Sequence, residues 1–285
     1  MSGLRQMRVG IVGAGVMAEA VIAGLLADRL PHDQLVASHP RRDRREALEA
    51  RYGIQLLARN GDAVAGADIV VLAVKPQMLA AVMREIRPRM KAEQVVLSIV
   101  AGATLRTLSH GLGHAAVVRA MPNTPAQIRR GIAVWTASEA CTTRGRDLAR
   151  AVLHALGEEK QVADEEFVAM ATALSGTGPT YLFAVMEALI DAGVHLGFPR
   201  ELAHDLVAAT LVGSAEFAAR SQLHPAQLRN EVTSPGGTSA AAIYELEKGR
   251  LRTVLSDAVW AAYRRTQELG ARLEAETGAA IEGES

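Results

Sequence analysis

The stretch Arg8 to Ala18, RVGIVGAGVMA, constrains this chain more than any other, because a β-branched run enters a G-x-G-x-x-A turn and leaves it in a helical pattern. In such a turn Gly13 permits the tight reversal and Gly15 lets backbone approach a pyrophosphate. Ala18 allows close packing of helix on strand, and phosphates are received at the helix N-terminus. A glycine turn that merely joins a strand to a helix reads the same in isolation, so the surroundings decide. Five more short apolar runs follow, at Leu35 to Ser38, Ile69 to Val74, Val95 to Ile99, Ala116 to Ala120 and Ile132 to Thr136. Met17 to Leu30, Arg41 to Tyr52 and Gln77 to Met90 lie between them with apolar residues at helical spacing. The alternation predicts an α/β fold whose N-terminal part is a Rossmann-type, doubly wound parallel sheet.

Strand signals cease near Asp164, and Ala- and Leu-rich helical segments follow. A dinucleotide-binding domain over residues 1–163 and an all-α C-terminal domain over 164–285 are therefore expected. From Thr180 to Leu196 the polar side chains Glu187, Asp191 and His195 form one narrow stripe, and nearly every other position is apolar or small. A helix apolar around most of its circumference needs neighbours on several sides, and a second subunit supplies them naturally.

Composition narrows the function classes. Hydrophobic residues make up 49% of the 285 and charged residues 22%, which excludes a disordered chain. Lys and Arg balance Asp and Glu at 31 each, against a coat for nucleic acid or an anionic membrane. The balance hides an asymmetry: residues 1–163 carry 22 basic and 14 acidic side chains, net +8, and the remainder is net −8. Cys141 is the sole cysteine, so neither an intrachain disulfide nor a cysteine-based metal cluster can form within one chain. Met1 to Arg8 has no apolar leader core, and no run approaches the roughly 18 residues of a membrane span. A cytoplasmic protein with no membrane or nucleic-acid partner and no bound metal is expected.

The end of the second strand, Ser38-His39-Pro40-Arg41-Arg42, lacks the acid that usually holds the ribose 2′-hydroxyl of NAD. Arg41, with Ser38, His39 and Arg42 around it, suits a 2′-phosphate, so NADPH is expected, with NADH as the alternative. Arg41, Arg42, Arg44 and Arg45 as a solvated helix face is the competing reading.

Taken together, VGIVGAGVMAEA (9–20), AVKPQ (73–77), RAMPNTPA (119–126), LSGTGPTY (174–181) and VTSPGGT (232–238) resemble the successive motifs of the pyrroline-5-carboxylate reductases, in order and across almost the whole chain. The resemblance implies NAD(P)H-dependent reduction of 1-pyrroline-5-carboxylate to L-proline, the last step of proline biosynthesis. It also implies a homodimer made through the C-terminal helices, often assembled into a decamer. Cofactor contact is carried by the resemblance onto Val12, Gly13, Ala14, Gly15, Val16 and Met17, onto His39, Arg41 and Asn60, onto Ala73, Val74, Lys75 and Pro76, and onto Ile99, Val100 and Ala101. The loop at Met121 to Pro125 reads either as a rigid turn or as a wall facing the nicotinamide.

Two glycine-rich stretches precede helices, Ser175 to Gly178 and Ser234 to Ser239. Hydroxyls cap helices and glycines expose N–H groups, so either can cap or can hold a carboxylate. The family places the substrate carboxylate on the second, which nominates Ser234, Gly237, Thr238 and Ser239, with Ser175 and Glu165 as further contacts. Ser239 stands where the family commonly has Thr near the imine nitrogen and is the candidate catalytic residue. A protonated cyclic imine needs only a hydride donor held against its carbon, so no histidine need be catalytic. Val16, Gln222 and Glu231 depart from the usual family residues. A β-hydroxyacid dehydrogenase-like reductase and a catalytically silent NADP-binding protein are the rival readings. The first expects a lysine early in the helical half, and residues 164–199 contain none.

Overall fold

The computed structural model describes residues 7–282, with side chains described to residue 278, so most of the Met1 to Arg8 segment lies outside the described residues. Eight strands form one sheet in the order β3-β2-β1-β4-β5-β6-β7-β8. They are β1 (Val9–Val12), β2 (Leu35–Ser38), β3 (Gln55–Leu57), β4 (Ile69–Leu72), β5 (Val95–Ser98), β6 (Val117–Met121), β7 (Gly131–Ala137) and β8 (Gly157–Gln161). The helices among them are α1 (Val16–Ala27), α2 (Arg42–Tyr52), α3 (Asn60–Val64), α4 (Leu79–Ile86), α5 (Leu105–Leu112) and α6 (Thr143–His154). The order from β3 to β6 is the mononucleotide-binding arrangement, with the topological switch between β1 and β4.

The sheet is mixed. β7 runs antiparallel to β6, in the register Met121↔Val134, and all other neighbours are parallel. The segment between them, residues 122–130, folds as a 3₁₀ turn over Thr124–Ile128. That is too little chain for the crossover a parallel pair requires. The period-2 alternation of the central strands sorts their side chains onto two cores. Ile11, Ile69, Val71, Leu97, Val118 and Trp135 join α1 and α6 on one face. Val12, Val70, Leu72, Val96 and Val117 meet α4 and α5 on the other, closed by Leu273 of the long helix α12 (Leu251–Glu282). Trp135 is fully buried, and its indole Nε1–H donates to Glu159 Oε2 at 2.5 Å.

After β8 the chain is helical. α7 (Glu166–Ala171) runs into a π turn over Thr172–Gly176, then come α8 (Gly178–His195), α9 (Arg200–Arg220), α10 (Pro225–Glu231), α11 (Thr238–Lys248) and α12. Residues Gly178–Ala261 form one compact unit, and the rest of the described chain forms the other. Within the 178–261 unit α8 buries only Pro179 and Ile190, leaving Leu182, Phe183 and Leu189 exposed. Val212 and Phe217 of α9 and Tyr244 of α11 are exposed as well. Such a surplus of apolar surface is what a subunit interface covers.

Candidate active site

The glycine-rich turn sits at the carboxyl end of β1. Gly13 has φ +89°, and a Cβ there would stand 2.7 Å from Val74 Cγ1 and 3.0 Å from Ala73 O, so β4's exit packs directly against the turn. Ala73 N donates to Val12 O and Ile99 N to Leu72 O, which aligns the ends of β1, β4 and β5. Val12, Ala14 and Val100 are buried, Ile99 is nearly so, and Met17 packs on the first core. Gly15 caps α1 without a side-chain hydrogen bond and has open space where a Cβ would stand. The first amides of α1 therefore face outward unpaired by a cap, a setting suited to a pyrophosphate. Val16 is 59% exposed beside them. Lys75 and Pro76 open a 3₁₀ turn on the same edge, with Lys75 exposed and Ala101 half-buried. The candidate residues of these three strand ends thus converge at the switch point.

At the end of β2 the arginines divide by their partners. Arg44 donates from Nε to Ala14 O at 3.0 Å and from Nη2 to Glu19 Oε2 at 2.5 Å. Arg45 donates to the His39 and Pro40 carbonyls, and Arg42 pairs with Glu46 one turn on. Arg41 lies at the N-cap of α2 with only an exposed Asp43 at 3.3 Å, so it is the guanidinium free to serve a ligand. His39 Nδ1 accepts from Arg41 N at 3.2 Å. Burial, with the charges of Arg41 and Arg44 in the same direction, holds the His39 imidazole below its ordinary range. With Nδ1 accepting, the neutral form of the ring carries its proton on Nε2.

Asn60 is at the same edge, but its amide is engaged. Its Oδ1 accepts from Ser38 Oγ at 2.8 Å, and its Nδ2 and backbone N donate to Glu85 at 2.7 and 2.9 Å. It fixes β2, α3 and α4 together, and any cofactor contact must come from what remains of that amide. Asn123 also has a structural duty, donating to Ser175 O at 3.2 Å and accepting from Ile132 N at 3.0 Å.

The first glycine-rich stretch is not an open loop. Ser175 and Gly176 belong to the π turn, Ser175 Oγ donates to Ala171 O at 3.0 Å, and Thr177 N donates to Thr172 O. Helical carbonyls thus take up the donors of Ser175 Oγ and Thr177 N. Glu165 is likewise committed: its Oε1 accepts from Leu105 N and from Arg119 Nη1, both at 2.7 Å. Arg119 was not singled out in the sequence. Its guanidinium is 6% exposed, and a buried charge of that kind requires a partner.

In the second stretch Gly237 N donates to Ser234 O at 3.0 Å, but the first amides of α11 beyond it have no side-chain cap. Gly237 is the N-cap of α11 with no side-chain cap, following Gly236 at φ +71°. Ser239 is half-buried, and its hydroxyl has no hydrogen bond to other described residues. Ser234 Oγ lies 2.4 Å from where a Gly237 Cβ would stand, so a side chain at 237 would displace that hydroxyl. An uncapped helix start ringed by the hydroxyls of Ser234, Thr238 and Ser239 suits a carboxylate.

Comparison with known proteins shows the family of the chain. The family model described as "Pyrroline-5-carboxylate reductase dimerisation" matches residues 165–269, and that described as "NADP oxidoreductase coenzyme F420-dependent" matches 8–102. The pyrroline-5-carboxylate reductase of Pisum sativum is 39% identical over 92% of this chain and 95% of its own length. That of Pseudomonas aeruginosa is 39% identical over 93% and 98%. The solved pyrroline-5-carboxylate reductase of Coxiella burnetii superposes with a TM-score of 0.85 at 34% identity, over 92% of this chain and 98% of that one. The Plasmodium falciparum pyrroline carboxylate reductase, solved with NADP bound, also gives 0.85, at 28% identity over 93% and 99%. On identity over nearly its whole length, the chain belongs to the pyrroline-5-carboxylate reductase family.

Proposed function

We propose that the chain reduces 1-pyrroline-5-carboxylate to L-proline with NADPH, and that residues 1–163 hold the dinucleotide while 164–285 hold the substrate and make a homodimer, assembled further into a decamer. The observation that carries the substrate half is the uncapped, hydroxyl-ringed start of α11. The cofactor half rests on the outward amides of α1 and on Arg41 at the end of β2.

The residues present fit a dinucleotide phosphate. Gly13, Ala14, Gly15, Val16 and Met17 would receive the pyrophosphate on backbone, Arg41 and His39 the 2′-phosphate, and the ends of β4 and β5 the nicotinamide side. When bound, the cofactor supplies a hydride to the imine carbon as the C=N electron pair moves onto nitrogen. The amides of Thr238 and Ser239 hold the substrate carboxylate against the α11 dipole, and Ser234 Oγ flanks it. Ser239 Oγ accepts the N–H of the protonated imine and keeps the ring in orientation. The nitrogen already carries its proton, so no general base is needed, and positioning does the catalytic work. Among the described residues no helix is long and apolar enough to cross a membrane. A cytoplasmic enzyme is the corresponding expectation.

The test is NADPH oxidation followed at 1-pyrroline-5-carboxylate addition, with an oxo acid and a linear imine as controls. Turnover of the cyclic imine alone supports the reading. Turnover of the oxo acid instead would assign the chain to the rival reductase class.

A further inference from the structure

The positive surplus of the N-terminal half does not all lie at the cofactor edge. Arg84, Arg87, Arg89 and Lys91 fall within eight residues at the end of α4 and the 3₁₀ turn after it (Arg87–Arg89), and none has an ion pair among the described residues. Three of them, Arg84, Arg87 and Lys91, line one cleft of about 770 Å³. The cleft lies where α4 and α5 end and β5 and β6 begin, the amino edge of the sheet, opposite the glycine-rich turn.

Its walls are fixed. The Arg87 guanidinium lies across Gly113, which has φ +60°: a Cβ there would stand 2.9 Å from Arg87 Nε. Buried Gln94 accepts from Lys91 N at 2.8 Å and donates to Val64 O and Ala67 O, while its own carbonyl pairs with His114 Nε2 at 2.8 Å. Met90, Leu112 and Ala116 supply an apolar floor beside the charges.

Complementing helix ends does not account for these cations. The C-termini of α4 and α5 contribute roughly half a negative charge each, about −1 against three full positive charges. About two charges remain unbalanced, and like charges three residues apart, such as Arg84 and Arg87, repel one another. An anion in the cleft relieves that repulsion, and guanidinium forks suit phosphate.

We propose that this cleft binds a small phosphorylated metabolite, with adjacent phosphates on Arg84, Arg87 and Lys91 and the body of the molecule on the Met90 and Leu112 floor. The volume falls in the range of small-molecule sites, and the opposite edge of the sheet leaves it accessible while a dinucleotide is held.

The probe is inorganic pyrophosphate titrated calorimetrically into the full chain presaturated with NADP⁺, so that the glycine-rich turn is occupied. One saturable site per chain is expected. The double variant Arg87→Ser/Lys91→Ser should weaken it at least about tenfold, the loss of a charge-assisted hydrogen bond, with an unchanged melting temperature and unchanged NADPH oxidation without pyrophosphate. If the double variant folds poorly, the single exposed change Lys91→Gln serves the same comparison. No saturable heat in the NADP⁺-loaded protein, equal affinity in wild type and variants, or equally tight binding of sulfate would each overturn the proposal.

Discussion

Glu19 of α1 and Arg44 of α2 form an ion pair of 2.5 Å, and the same guanidinium donates to the carbonyl of Ala14 in the glycine-rich turn. Arg51 and the Tyr52 hydroxyl complete the carboxylate's partners at 2.8 and 2.9 Å. One acid thus holds α2, whose N-cap is Arg41, against the turn that would carry the pyrophosphate. Arg44→Ala should therefore raise the KM for NADPH several-fold while kcat with saturating cofactor stays within about twofold, and Arg44→Lys should restore part of the loss. A fall in kcat with unchanged KM would remove the positioning role.

The same pair sets an acid limb. Burial raises the Glu19 pKa, but hydrogen bonds from Arg44 and Tyr52 and the charges of Arg44 and Arg51 outweigh it, so the folded value lies below the ordinary 4.5. A depressed carboxylate stabilises the fold above its unfolded pKa and loses that contribution as pH falls through the folded one. Glu19→Gln should cost about 1–3 kcal/mol at pH 7, and the gap from wild type should close as pH drops below about 4.3. Denaturant melts at pH 7 and below 4 measure it; a gap that stays constant would contradict this assignment.

Arg41→Ala should raise the KM for NADPH by about tenfold or more, the loss of a charge-assisted phosphate contact, and leave that for NADH nearly unchanged. Parallel changes with both cofactors would make Arg41 a surface residue only.

Ser239→Ala should lower kcat for 1-pyrroline-5-carboxylate about tenfold or more and leave NADPH affinity near wild type. Ser239→Thr should retain turnover, since the hydroxyl persists. Wild-type turnover in the alanine variant would transfer the imine nitrogen's partner to another residue.

Glu165→Ala strands the Arg119 guanidinium in a site only 6% exposed to solvent, at an expected cost of about 3–5 kcal/mol. Glu165→Gln keeps the acceptor for Leu105 N and should cost less. If instead the alanine variant melts like wild type but its KM for the imine rises, Glu165 is a substrate contact and not a cap.

All six strands expected from the sequence are present, because each is a largely buried apolar run in a sheet covered on both faces. β3 and β8 gave no such signal: Gln55-Leu56-Leu57 is too short, and Gly-Glu-Glu-Lys-Gln carries charge at three of its positions. Both are edge strands, where charge deters pairing with another chain. The antiparallel turn into β7 follows from connection length, which Thr124 and Pro125 imply only once β6 and β7 are known neighbours. Glycine pattern marked the turn at Gly13 and the helix start at Gly237, where backbone conformation or close approach demands glycine. At Ser175 the hydroxyl meets the carbonyl of Ala171, a partner that the glycine pattern does not announce. The hub at Glu19 and the pair at Arg119 join residues 25 and 46 positions apart, and no local pattern announces such contacts.

The two tryptophans fall on different sides of the division between compact units. Trp135 is sealed in the sheet core between Glu159 and the Arg150 guanidinium, while Trp260, in the unit of residues 178–261, is 57% exposed in the single chain. Intrinsic fluorescence therefore carries two separable signals. A blue-shifted emitter follows melting of the sheet, and a red-shifted one answers to whatever covers the helical unit. Removing each indole in turn by Phe would let subunit dissociation and unfolding be timed in one cuvette without an added dye.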